Sequence, residues 1–188
     1  MSTMKMISMS VALILAFAFV LACKKEEPPG PPVEVASYSL DDLDHVIMGD
    51  YLTLDTETPA EGTACVKMSS EMPITIDLYE APLSSPEKGA LVLEGQIRTE
   101  EMAGSAFLRM EATLSGGATA AKRQKLSTAP SGTADWTPCE VVLYLSEKAR
   151  PSRVKISFVL DGFGTAWVDD LHLIHDPGRV PPEKAKKK

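Results

Sequence analysis

Gly164-Thr165-Ala166-Trp167-Val168-Asp169-Asp170-Leu171 is the stretch on which the fold turns. Ala166 and Val168 are two residues apart and share one face of an extended strand, whereas the next apolar pair, Leu171 and Leu173, falls on the opposite face. A strand with a skipped step at Asp169-Asp170 accounts for both pairs, because a β-bulge inserts one residue and resets the alternation. A helix would need an apolar period near 3.6, and no segment of the chain sustains one.

Upstream, the same reading repeats. Residues 63–68, 74–78, 91–97, 106–112, 141–145 and 154–160 alternate apolar with polar or are rich in β-formers, and Gly, Pro and Ser clusters separate them. Four alternations assign inward faces: Ile74, Ile76 and Leu78; Leu91, Leu93 and Ile97; Ala106, Leu108, Met110 and Ala112; Val154, Ile156, Phe158 and Leu160. Strands with one apolar edge must bury it against a second sheet, so the expected class is all-β, a two-sheet antiparallel sandwich. About 140 residues are enough for such a core without disulfide staples.

Several motifs carry a resemblance. Gly95-Gln96-Ile97-Arg98-Thr99-Glu100, then Ala106-Phe107-Leu108-Arg109-Met110, Asp135-Trp136 leading into Val141, and the closing Gly164 to Leu171 stretch together resemble the galactose-binding-like jelly roll, the fold of several non-catalytic carbohydrate-binding modules. The resemblance implies one sheet from the strands near 65, 168, 94 and 142, and a second, concave one from those near 76, 157, 109 and 123. Sugar would bind on the concave sheet. There the outward residues offer Tyr79 and Phe107 as stacking platforms and Asp77, Arg109 and Glu111 as partners for hydroxyls. The same charges, with Lys155, also suit a cross-strand ladder on a solvated surface. Trp136 and Trp167 read as packing residues.

The resemblance also implies a structural calcium held by Asp170, the second aspartate of the closing motif, with backbone carbonyls and an acidic residue of a first strand; Asp41, Asp42 and Asp44 lie in that region. A hydrogen-bonded aspartate at a bulge is the alternative. Cys65 and Cys139 would sit at opposite edges of one sheet, beyond disulfide reach, and are expected as free, buried thiols. Catalysis finds no support: no Ser or Cys lies in a nucleophile motif, and His172 and His175 fall on opposite faces of a strand.

The ends differ from this body. Residues 1–22 hold a single Lys and an apolar run from Val11 to Leu21, too short to cross a bilayer and shaped as a secretion signal. Val20-Leu21-Ala22-Cys23 resembles the lipobox of bacterial lipoproteins, which implies cleavage before Cys23 and a lipid on its thiol. Lys24 in place of Asp implies, by proteobacterial sorting, the outer membrane. The prolines of residues 23–36 form an extended tether, reaching up to about 40 Å at ~3.1 Å per residue. A domain over 37–176 follows, then a Lys-rich tail, 177–188, expected to be disordered.

Between residues 35 and 178 there are 22 acidic and 11 basic residues, a net of −11. That sign repels phosphate backbones and argues against nucleic acid. The expectation is a non-catalytic accessory lipoprotein of the bacterial cell envelope, its membrane contact the N-terminal lipid and its partner a polysaccharide. An envelope protein, contacted by a scaffold that binds no sugar, is the other reading.

Overall fold

The computed structural model describes residues 28–86, 88–146 and 150–182. The strands are β1 (Val33–Tyr38), β2 (Thr53–Asp55), β3 (Cys65–Ser70), β4 (Ile74–Pro82), β5 (Ala90–Leu114), β6 (Thr119–Arg123), β7 (Gly132–Tyr144) and β8 (Pro151–Asp176). Every pairing among them is antiparallel.

β5 and β8 run for 25 and 26 residues, so segments that read as separate strands in the sequence are continuous. A bend makes this possible. Gly104 lies opposite Gly162, with φ of 110° and 154°, and a Cβ on either would stand 1.9 Å from Asp161 O or 1.6 Å from Ala103 O. Just before it, Glu101 and Met102 oppose the single residue Gly164, a bulge in which Glu101 takes a φ of 51°. Bulges and glycines let a hydrogen-bonded pair turn a corner from one sheet to another.

The result is two sheets sharing two strands. The first half of β5 and the second half of β8 join β3 and β7, with β1 beside β8 and β2 outside β3. The remaining halves join β4 and β6. This is the division that the jelly-roll resemblance implies. Leu91, Leu93, Ile97, Val168, Leu171 and Leu173 of the first sheet meet Ile76, Leu108, Met110, Ile156, Phe158 and Leu160 of the second, all at 0% exposure. Each such side chain contributes about 1.5–3 kcal/mol of burial.

The bulge expected at Asp169-Asp170 is present. Glu94 pairs with His172 and Gln96 with Asp169, so Asp170 and Leu171 face Gly95 alone, and Asp170 has a φ of 53°. Gly95 is required there, since a Cβ would lie 2.5 Å from Leu171 Cδ2.

Two boundaries differ from expectation. β1 starts at Val33 and pairs with the end of β8, so the sandwich takes in residues assigned to the tether. Only Ala36 and Tyr38 of β1 turn inward, too few to show an alternation next to prolines. Arg179, expected in a disordered tail, docks on Glu140 with two hydrogen bonds of 2.7 and 2.9 Å. The leader, Cys23 and residues 183–188 lie outside the described residues.

Cys65 and Cys139 are free and buried, as expected from their strands. Burial pushes their thiols up, to about 11 and about 12.

Candidate functional site

The outer face of the second sheet is assembled from β4, β8, β5 and β6. Asp77 stands opposite Ser157, Ser157 opposite Arg109 and Arg109 opposite Arg123, so one row crosses four strands. Ser157 Oγ donates to Asp77 Oδ1 at 2.8 Å, and Lys155 Nζ lies 3.0 Å from Asp77 Oδ2. Burial alone would raise the Asp77 carboxyl, but these two partners outweigh it and hold it below the usual range. Arg109 Nη2 donates to Glu111 Oε2 at 2.6 Å, and Arg153 pairs with Glu80 at 3.2 Å. Asp77, Arg109 and Glu111 thus share a face, as expected, in a ladder of satisfied charges.

The two aromatic platforms are covered. Tyr79 is 7% exposed, because β4 bulges between Asp77 and Tyr79 and turns both Leu78 and Tyr79 inward. Its ring stacks on Tyr38 at 3.9 Å. Strict alternation could not show that inserted residue. Phe107 keeps its outward side but is 4% exposed, with the guanidinium of Arg123 5.6 Å from its centroid. Neither ring offers a sugar an open face.

Trp136 and Trp167 serve packing on the first sheet. Arg98 lies 3.9 Å from the Trp167 centroid and 5.7 Å from that of Trp136. Its Nη1 donates to Thr58 Oγ1. The indole N–H of Trp167 donates to Asp55 Oδ2 at 2.7 Å, and that of Trp136 to Thr58 O at 3.0 Å. Together they clamp the loop after β2.

At the closing bulge each aspartate already has at least one carboxylate oxygen paired. Asp169 Oδ2 accepts the N–H groups of Ala60 and Glu61, and Oδ1 that of Asp170. Asp41 Oδ1 accepts from Thr63 N, Thr63 Oγ1 and Ala64 N, bonds that lower its pKa, those from the backbone most. Asp170 Oδ1 meets His172 Nε2 at 2.7 Å, and His172 Nδ1 meets Glu34 Oε2 at 2.8 Å. Among the described residues no three His, Cys, Asp or Glu form a metal-holding group. Calcium needs six to eight oxygens, whereas this site is furnished with N–H donors. The residues present do not fit a calcium at Asp170.

Sequence reasoning passed over the corner itself. Phe163, between Gly162 and Gly164, is 58% exposed and borders a cleft of about 710 Å³ with Glu71, Glu100 and Glu101. The glycine-aromatic-glycine pattern was the available signal.

No protein-family model matches the chain, and no curated protein matches it in sequence. Solved structures do. The CBM22-1 xylan-binding domain of Paenibacillus barcinonensis Xyn10C superposes with a TM-score of 0.52 at 11% identity, over 80% of this chain and 98% of that one. The CBM22-1-GH10 modules of Clostridium thermocellum endo-1,4-beta-D-xylanase 10B, complexed with xylohexaose, give 0.53 at 13% identity, over 77% of this chain and 29% of that one. The fold is that of carbohydrate-binding modules.

Proposed function

We propose that this protein is a non-catalytic glycan-binding accessory of the bacterial cell envelope, anchored through lipid on Cys23. The observation that carries the reading is the superposition on a xylan-binding domain along nearly its whole length. On the outer face of the second sheet, Asp77, Arg109 and Glu111 are polar groups already oriented by their neighbours, so little ordering cost would accompany pairing with sugar hydroxyls. With Tyr79 and Phe107 buried, this face would bind through hydroxyl pairing alone.

The test is a glycan array on the purified protein beside an Asp77→Asn, Arg109→Gln double variant. Binding by the wild type that the variant loses supports this face. A second reading, an envelope scaffold without sugar binding, is favoured by the mutual satisfaction of the charges there. Capture of a defined envelope protein with no glycan bound would select it. The anchor is tested separately, by intact mass of the native protein and by membrane fractionation of Cys23→Ser. A native form that begins elsewhere, or stays soluble, removes the lipid.

A further inference from the structure

We infer that the corner where β5 and β8 pass between the sheets is a binding site for a neutral sugar chain, with Phe163 as its stacking platform and Glu100 and Glu101 as hydroxyl acceptors. The inference rests on the glycan reading above and adds a second contact for the sugar, away from the second sheet's outer face.

A sugar site needs a flat apolar surface for the ring's C–H groups, and acceptors held beside it. Phe163, at 58% exposure, is the most exposed aromatic side chain among the described residues after Tyr51, at 60%. Its neighbours lie where the two strands approach closely: a Cβ on Gly162 would stand 1.6 Å from Ala103 O and one on Gly164 2.7 Å from Met102 Cα. Glu101, in its left-handed conformation, is held by a 3.1 Å bond from its N–H to Thr133 Oγ1. A platform on such backbone loses little freedom when a ligand stacks on it.

The polar lining fits hydroxyl donors. Glu71, Glu100 and Glu101 border the cleft, and none of the three has an ion-pair partner among the described residues. Glu100 also borders an adjoining cleft of about 320 Å³ that Thr99 lines. Thr99 is 1% exposed, and its Oγ1 has no hydrogen-bond partner. Three unpaired carboxylates on a body of net charge −11 would repel a uronate or sulfated chain, so the fitting sugar is neutral.

The experiment titrates the full chain with xylohexaose, cellohexaose and galactotriose, and with oligogalacturonate, following Gly162 and Gly164 amide shifts by NMR. Phe163→Ala and Glu100→Gln are run beside the Asp77→Asn, Arg109→Gln variant. The expected result is a neutral oligosaccharide that moves both glycine amides and binds at least tenfold more weakly to Phe163→Ala, with oligogalacturonate inert. Loss confined to the sheet variant would overturn this site and leave the glycan reading standing. Binding of oligolysine at these amides with no sugar bound would overturn both. Tighter binding of oligogalacturonate than of any neutral chain would overturn the neutral assignment. Both mutated side chains are exposed, so the folded state should survive either substitution.

Discussion

Asp170 and His172, two residues apart on β8, meet carboxylate to imidazole at 2.7 Å across the inserted step of a bulge. Glu34 of β1 takes the other ring nitrogen, and the bond from Glu34, then that from Asp170, raises the His172 pKa against the opposing effect of burial. A group whose folded pKa is raised contributes stability that is present in full below its unfolded pKa, about 6.5, and is lost as pH rises through the folded value. The melting temperature should therefore fall between pH 6 and pH 8 in the wild type by more than in His172→Gln. The side chain is 35% exposed, so the difference should be small, at most about 4 °C.

Phe107→Ala should cost about 3 kcal/mol in urea unfolding although Phe107 lies on an outward face, because its ring is covered. Phe163→Ala should change stability by less than about 0.5 kcal/mol. Similar losses for the two would contradict their burial.

Gly162→Ala has nowhere to place a methyl group, with Ala103 O 1.6 Å from the new carbon, and should leave little folded protein by circular dichroism. Gly116→Ala, at a φ of 104° but in open space, should cost only about 1 kcal/mol.

Melts in millimolar calcium and in chelator should coincide, since Asp41, Asp169 and Asp170 already hold hydrogen-bond donors. A rise with calcium that Asp170→Ala abolishes would show that these bonds give way to the ion.

Cys65 and Cys139 should ignore a thiol reagent at pH 8 in the folded protein, being buried and far from ionisation. In denaturant both should react, and a missing thiol would mean that β8 and β5 do not separate β3 from β7.

Much of the fold was legible because period-two alternation survives wherever one sheet face is dry. The faces of Leu91, Leu93 and Ile97 and of Val154, Ile156, Phe158 and Leu160 are as the sequence implies. The step at Asp169-Asp170 could be read because apolar residues flank it on both sides. The step beside Leu78 could not, since Tyr79 is as plausible outside as inside until Tyr38 is seen stacked on it. Phe107 taught a related lesson: outward direction is set by the strand, but exposure is set by what lies across it, here Arg123.

The placement of β8 carries a consequence for how the chain folds. β1, β3 and β4 all pair with it, and so does β5 along most of its length. Until residues 151–176 are available, those three strands lack their shared partner, and β5 keeps only β6 and β7. The last strand is therefore the keystone, and its contacts span most of the sequence, a topology that folds slowly. A chain growing from its N-terminus would stay open until that strand emerged.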